Sequence, residues 1–238
     1  LVGSEMCIRD RLTTDPRVVK EARPLTVLTF EEAAELTVFG ATVVHPAAVM
    51  PAWTAGVPIT VRNSMMPHLP GTRIVADMSE DDIKERGTRV AAMSSKRGIT
   101  MIVIRSTRML GQHGFLAHVF NVFKRFEVSV DVIATSEVTV SLTLDMGFKP
   151  IDLTALCAEL DDSVATVEIH QSMSMLTLIT AKKASGGVLR DVFDLFEEIG
   201  ANVEMVSHGA SNVNVTFVLR EASLVECTRK LHKAFFEN

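Results

Sequence analysis

Two acidic residues near a glycine-containing loop form the clearest candidate binding site in this sequence. Asp131 interrupts an apolar run, Glu137 opens the next strand pattern, and the loop at 107–115 reaches the start of a helix at Gly114. The first N–H groups of a helix have no intrahelical partner and favour an anion such as a carboxylate. The helix terminus and the two acids could therefore hold a zwitterion, whose amino groups the acids would bind. The alternative is that both acids are ordinary exposed positions on half-buried strands.

Asp15 and Arg17, near the start of the chain, form a second group of side chains that could bind a ligand. They flank a proline and follow two threonines, a composition that is typical of a turn. The arginine could contact a phosphate group, although an exposed loop arginine without a ligand is the commoner case.

Known catalytic motifs do not occur in the sequence, which contains neither a Gly-x-Ser-x-Gly elbow nor a phosphate-binding P-loop. His113 and His118 are five positions apart, so they miss the i, i+4 spacing of a helical metal pair. The sequence therefore predicts no catalytic constellation and no metal site in this chain. Three further histidines are interpreted as surface or strand-edge residues: His170, His208 and His232.

The candidate binding site lies in a segment whose pattern occurs twice, at 98–145 and at 172–220. In each copy, Leu, Val, Phe and Phe stand at i, i+3, i+4 and i+7 of one helical face, and a later strand alternates apolar and polar residues. Each copy predicts a ferredoxin-like β-α-β-β-α-β unit, in an α/β (α+β) chain. The predicted strands are 101–104, 129–133, 138–144 and 164–169, then 175–179, 202–206 and 213–219, and the helices that close the units are 153–160 and 222–236.

The second copy differs from the first in its charges. Glu204 stands at the place of Asp131, but a Gly-Ala pair at 209–210 replaces the Ser-Glu pair at 136–137. This difference is expected if the two units share a fold and only the first one binds the ligand.

Composition excludes several classes of protein. The chain has 238 residues, 47% of them hydrophobic, and a net charge of −5. The length and the hydrophobic content predict one large or two small folded domains. A mildly acidic chain with one tryptophan and no tyrosine does not suit nucleic acid. No run of 18 uncharged apolar residues predicts a membrane span. The three cysteines are far apart and favour a reducing compartment.

The part before the repeats shows its own helix and strand signals. Thr29 and Glu32 form a capping box, so a helix is expected to start there and to end at Gly40. Residues 1–11 show no periodicity and are interpreted as foreign or disordered sequence. Further expected elements are a helix at 46–53, strands at 57–61 and 74–75, and a polar linker or connecting helix at 76–97.

Several ordered segments together resemble aspartate kinase, in its monofunctional, lysine-inhibited plant and algal type. Segments similar to the end of the amino-acid-kinase domain are Thr-Thr-Asp-Pro-Arg at 13–17, Leu-Thr-Phe-Glu-Glu-Ala-Ala-Glu-Leu at 28–36, Phe-Gly-Ala at 39–41 and Val-Arg-Asn-Ser at 61–64. Segments similar to its first ACT domain are Ser-Thr-Arg-Met-Leu-Gly at 106–111, Ser-Val-Asp at 129–131 and Thr-Ser-Glu-Val at 135–138. The second repeat resembles its second ACT domain. The resemblance implies a kinase remnant at 12–75, a linker at 76–97 and ACT domains at 98–170 and 171–238.

The resemblance also assigns site residues. It implies nucleotide contacts at Asp15, Arg17, Thr42 and Val43, although Thr42 lacks the charge or amide of the lysine or glutamine that relatives often carry there. The family's lysine pocket coincides with the candidate site derived above. Its residues would be Met109, Gln112, Phe115, Leu116, Val130, Asp131, Ser136 and Glu137.

The activity implied is phosphoryl transfer from ATP, with Mg²⁺, to L-aspartate, which gives 4-phospho-L-aspartate for lysine, threonine and methionine biosynthesis. Lysine would inhibit through the ACT domains, which would also form a homodimer. The location expected is soluble and intracellular, in the plastid stroma of a plant or alga and otherwise in the cytoplasm.

One departure from the family concerns catalysis. The Lys-Phe-Gly-Gly-Thr motif and the aspartate-binding residues of the family's N-terminal portion do not occur in this sequence. Phosphoryl transfer depends on complete positioning and charge neutralisation, so we expect an inactive C-terminal fragment of a longer gene product. Two alternatives are a stand-alone amino-acid-binding ACT module and an ACT module of another amino-acid enzyme. The Thr-Phe-Glu-Glu-Ala-Ala segment at 29–34 argues against the latter.

Overall fold

A computed structural model describes residues 12–38, 46–63, 65–66, 68–106, 113–145, 152–161, 165–181, 185–209 and 213–237. Its helices are α1 (Phe30–Val38), α2 (Pro46–Ala55), α3 (Glu80–Arg86), α4 (Phe115–Arg125), α5 (Leu153–Leu160), α6 (Ser185–Glu198) and α7 (Glu221–Phe236). Its strands are β1 (Val27–Thr29), β2 (Ile59–Val61), β3 (Thr72–Val75), β4 (Val90–Ser106), β5 (Val132–Thr135), β6 (Thr139–Asp145), β7 (Ala165–Thr180), β8 (Val203–His208) and β9 (Asn214–Arg220).

The N-terminal part is a small sheet covered by a capped helix. Its strand order is β1-β3-β2, with β1 parallel and β2 antiparallel to β3. The predicted capping box opens α1, because the Thr29 N–H donates to Glu32 Oε2 at 2.9 Å and the Glu32 N–H donates to Thr29 Oγ1 at 3.2 Å. Phe30 and Leu36 then bury one face of α1 together with Ile74 of the sheet.

The two repeats form one six-stranded sheet with the order β5-β6-β4-β7-β9-β8. Helices α4 and α5 pack on the first repeat. Val119, Val122 and Phe123 of α4 are buried there, whereas Leu116 and Phe120 of the predicted face are 38% and 41% exposed. Helices α6 and α7 pack on the second, where Phe196 of α6 meets Phe217 of β9. The prediction of an α/β chain with two ferredoxin-like units is therefore confirmed.

Strand β4 is longer than the predicted strand at 101–104, because it already begins at Val90. The segment 76–97, expected as a linker or connecting helix, holds α3 and the first part of β4. Residues 90–96 pair with 175–180 of β7, whereas residues 99–106 pair with 165–173. A strand from before the first repeat thus completes the second unit, as the start of β7 completes the first. The domain boundaries themselves stay a prediction.

Both long strands bend where one unit meets the other. Gly98 has φ 69° and Ser172 has φ 57°, and the register of β4 on β7 shifts between Lys96 and Ile99. Because of this bend, the halves of one sheet face that belong to the two units pack against each other. Residues from both edge strands of the sheet, β5 and β8, therefore share one core. That core contains Ile99, Met101, Val103, Val132, Met173, Met175, Met205 and Val218.

Candidate functional site

Asp131 lies directly before β5 and already has a cationic partner. Its N–H donates to the Thr143 carbonyl at 2.9 Å, which fixes the backbone beside β6. Its Oδ2 atom accepts a hydrogen bond from Lys96 Nζ at 2.9 Å, and Lys96 belongs to the neighbouring strand β4. The two side chains keep 24% and 27% of their surface exposed, so the pair is accessible to solvent.

The N-terminus of α4 has the features expected of an anion site. Gly114 precedes it with φ 90°, a conformation that favours glycine, and no side chain among the described residues caps the helix. Its first turn also lacks acidic residues. Phe115 packs into the core of the first unit, while Leu116 remains 38% exposed beside the terminus. The first N–H groups of α4 can therefore receive a carboxylate without competition from a capping side chain.

Ser136 and Glu137 form the tight turn between β5 and β6. The Ser136 N–H donates to the Thr139 carbonyl at 2.8 Å, and Ser136 Oγ accepts from the Thr139 N–H at 3.1 Å. Glu137 is exposed at the tip of this turn. The turn lies beside the end of β4, because the Ser106 N–H donates to the Val138 carbonyl at 2.9 Å. The chain leaves β4 at this end to reach Gly114.

The described site residues fall into two groups at opposite ends of β5. The Ser136–Glu137 turn lies at one end, beside the end of β4. Asp131 lies at the other, about 16 Å away at ~3.3 Å per strand residue. Val130, half-buried against the core of the first unit, lies with Asp131. Within one chain, the length of β5 therefore separates Asp131 from the Ser136–Glu137 turn, and a shared pocket for these residues stays a prediction. Met109 and Gln112 lie outside the described residues.

Asp15 and Arg17 lie close together and pair with each other. The Asp15 carboxylate accepts hydrogen bonds from Arg17 Nε at 3.0 Å and from Arg17 Nη2 at 2.6 Å, and also from the Arg17 N–H at 2.9 Å. The arginine side chain is 72% exposed. A cavity of about 410 Å³ next to it is lined by Arg17, Lys20, Glu21, Arg229, Lys233 and Glu237. Thr42 and Val43, the other two expected nucleotide contacts, lie outside the described residues.

The interpretation of His232 as a surface residue is wrong. It is 0% exposed, its Nε2 atom lies 3.0 Å from Thr13 Oγ1, and its ring stacks on Phe236. The helical pattern could have revealed this, because a buried stripe runs along α7 at the i, i+3, i+4 and i+7 spacing. Its members are Leu224, Cys227, Thr228, Leu231, His232 and Phe236.

Two cysteines within the described residues are free thiols with suppressed reactivity. Burial raises the pKa of the Cys227 thiol to about 11, and burial also raises the pKa of Cys157. A thiol that keeps its proton is a poor nucleophile, so neither residue is a catalytic candidate.

The described residues contain neither a metal-binding cluster nor a membrane-spanning helix. No group of three His, Cys, Asp or Glu side chains able to hold a metal ion comes together there. None of the helices described is long and apolar enough to cross a membrane.

The fold defines a class of protein. Two β-α-β-β-α-β units that share one sheet form a pair of ACT-like domains. Residues 182–235, in the second unit, match the ACT domain family.

The chain is a homologue of the aspartokinases over 95% of its length, so the resemblance found in the sequence is confirmed. It is 44% identical over 234 residues to chloroplastic aspartokinase 2 of Arabidopsis thaliana, covering 42% of that protein. It is 36% identical over 238 residues to the lysine-sensitive aspartokinase 3 of Escherichia coli, covering 49% of that protein. The chain thus spans less than half the length of these curated relatives.

Solved structures show the same relationship. Escherichia coli aspartokinase III in complex with aspartate and ADP superposes with a TM-score of 0.79 and 33% identity, over 95% of this chain and 50% of that one. The same enzyme in complex with lysine and aspartate gives a TM-score of 0.79 over 94% of this chain and 49% of that one.

Proposed function

We propose that this chain is the regulatory region, with the end of the kinase domain, of a lysine-sensitive aspartate kinase. The whole enzyme would transfer the γ-phosphoryl group of ATP to the side-chain carboxylate of L-aspartate. The observation that carries the proposal is the 42–44% identity to plant aspartokinases across 95% of the chain. The chloroplastic relatives also support a plastid location.

Lysine is the effector that the first unit fits best. The open terminus of α4 would bind its carboxylate, and the carboxylates of Asp131 and Glu137 would bind its two amino groups. A structure of the Escherichia coli homologue in complex with lysine and aspartate supports this choice. The expected pocket keeps all eight residues assigned by resemblance, including Met109 and Gln112.

A homodimer would resolve the separation of the site residues along β5. This strand lies at the edge of the six-stranded sheet. If β5 of two copies run antiparallel about a two-fold axis, Asp131 of one copy approaches the Ser136 end of the other. Each lysine pocket would then contain residues from both subunits. Exposed apolar side chains of the first unit support such an interface: Leu116, Phe120, Ile133 and Val138.

Asp15 and Arg17 would contact the nucleotide of the whole enzyme. Because Arg17 is held by Asp15, a phosphate group would have to share or replace that partner. A homologous structure with aspartate and ADP supports a nucleotide in this family. Mg²⁺ would accompany ATP, and we assign no magnesium ligand to the described residues of this chain.

The alternative function is that of a stand-alone amino-acid-binding module. The N-terminal sheet and α1 favour the kinase, because this part folds against the second unit through Ala92, Ile179 and Val213 and matches aspartokinases in sequence. The chain alone should not phosphorylate aspartate, since the Lys-Phe-Gly-Gly-Thr motif does not occur in it. An assay with ATP and aspartate that gave turnover would contradict this expectation.

Calorimetry on the purified chain tests the effector. Lysine, threonine, methionine and S-adenosylmethionine are titrated separately, and lysine is expected to give the binding heat. Asp131→Ala should abolish that heat, whereas Glu204→Ala, at the same place in the second repeat, should retain it. A lysine response that is missing from the unaltered chain, or unchanged in Asp131→Ala, would show that the assigned pocket is wrong.

A further inference from the structure

A chain of hydrogen bonds runs from the C-terminal helix to the segment that carries Asp15 and Arg17. Glu237 Oε1 lies 2.8 Å from His232 Nδ1, and His232 Nε2 lies 3.0 Å from Thr13 Oγ1. Thr13 Oγ1 in turn accepts from the Arg23 N–H at 3.0 Å. Since a carboxylate only accepts, Nδ1 of His232 carries a proton, and in the neutral ring Nε2 accepts from the threonine hydroxyl.

In hydrolases a carboxylate, a histidine and a hydroxyl in this order activate the hydroxyl as a nucleophile. Here the hydroxyl also accepts from the backbone N–H of Arg23, so the same groups hold the backbone in place. Thr13 is 6% exposed, and its hydroxyl is already engaged on both sides by His232 and Arg23. A buried polar group in such a network is costly to leave unpaired, so each member holds the next in place.

Other contacts fix the same segment, residues 12–24, to two separate elements. The Met93 N–H of β4 donates to the Thr13 carbonyl at 2.7 Å, and Arg229 Nε of α7 donates to the Val18 carbonyl at 3.1 Å. The segment closes on itself through the Thr13 N–H and the Arg23 carbonyl, at 2.8 Å. Asp15 and Arg17 lie between these fixed points, so their location depends on the second regulatory unit.

We propose that His232 is a positioning residue, which holds segment 12–24 on α7 and β4 and thereby sets the location of Asp15 and Arg17. Its relevance to catalysis rests on the nucleotide role proposed for those two residues. The positional claim itself needs no nucleotide, because it concerns contacts within the chain.

Hydrogen–deuterium exchange on the purified chain, without ligand, tests the proposal. In His232→Ala, exchange of the amides of segment 12–24 should accelerate about tenfold, because local opening becomes easier. Amides in β7 and β9 should change little. The matched control is His208→Ala, an exposed histidine of the same second unit, which should leave segment 12–24 unchanged.

A second pair of variants changes Thr13, the other partner of the hydrogen bond with His232. Thr13→Val removes the hydroxyl at similar volume and should accelerate exchange of segment 12–24. Thr13→Ser keeps the hydroxyl and should therefore retain the protection of the unaltered chain. These variants decide the matter if His232→Ala fails to fold. Unchanged exchange in segment 12–24, or equal acceleration of all strands, would overturn the proposal. Suppose that the effect on segment 12–24 is selective but that Asp15→Ala leaves ADP affinity unchanged. That result would contradict only the nucleotide role of Asp15 and Arg17.

Discussion

The ammonium nitrogen of Lys96 lies 2.9 Å from Oδ2 of Asp131. Lys96 thus places on Asp131 the same chemical group that an amino-acid effector would bring, a primary ammonium ion. The internal cation and an external one would compete for one carboxylate, so the strength of the internal pair bears on effector affinity.

Lys96→Met should therefore strengthen lysine binding. An exposed ion pair contributes up to ~1 kcal/mol, so removing the internal partner should raise affinity by up to about fivefold. Calorimetric titration with lysine measures the change. Arg97→Met is the control, because Arg97 neighbours Lys96 but approaches Glu221, at 3.8 Å. An affinity that stays the same or falls in Lys96→Met would show that the pair does not oppose binding.

Arg86→Ala should destabilise the fold far more than Arg73→Ala. Arg86 forms a buried pair with Glu32 through Nη1 at 2.6 Å, with side chains 11% and 4% exposed. Breaking a buried pair leaves an uncompensated charge and costs ~3–5 kcal/mol, whereas an exposed pair is screened by solvent and contributes little. Arg73 pairs with Asp82 at the same distance but is 52% exposed. Urea unfolding of both variants measures the difference, and equal losses would contradict it.

Cys227 should make the fold less stable at high pH. Burial raises the pKa of its thiol from the ordinary 9.0 to about 11. Below pH 9 both the folded and the unfolded chain keep the proton, so stability does not vary with pH through this group. Between pH 9 and about 11 only the unfolded chain releases the proton, and the folded state loses ~2 kcal/mol.

Urea unfolding at pH 8 and pH 10.5 measures this loss. Cys227→Ala should show a smaller decrease between the two pH values than the unaltered chain. Cys157→Ala provides the comparison, because that residue is only half-buried. A decrease of the same size in Cys227→Ala would assign the pH effect to other groups.

Phe120→Asp should weaken self-association of the chain. Phe120 is 41% exposed on α4, which belongs to the same unit as the edge strand β5 through which we propose the two copies to pair. A charge placed within an apolar interface is unfavourable, so the dissociation constant should rise at least about tenfold. Sedimentation velocity measures it. Phe193→Asp, at the matching place in the second repeat and 44% exposed, is the control. A dimer that persists in Phe120→Asp would move the interface elsewhere.

Local patterns predicted the elements whose stability is decided within a short stretch of chain. The capping box of Thr29 and Glu32 opens α1 as expected, and α5 spans the predicted residues 153–160. Helical periodicity likewise identified Val119 and Phe123 as buried, although Leu116 and Phe120 of the same stripe are exposed. These features depend on neighbours within about two turns, which the sequence displays directly.

Features that depend on distant partners were not visible in the same way. Residues 90–96 contain serines and a lysine and show no alternation, and their partners lie more than 75 positions away in β7. The pairing of Lys96 with Asp131, 35 positions along, needs the completed sheet. The same holds for Thr13 and His232, which are separated by 219 positions. Spacing also suggested that Asp131 and Glu137 share a pocket, and this stays a prediction, because β5 lies between the two residues within one chain.

Strand β4 limits where this region can be divided when it is recombined with another protein. Its first half completes one unit and its second half belongs to the other, without an intervening loop. A recombination break at 97–98 would divide a single strand and expose the backbone of β7 along residues 175–180. The smallest portable piece therefore begins before Val90 and carries both units together. Exchange of a single unit would leave β7 without half of its β4 partner.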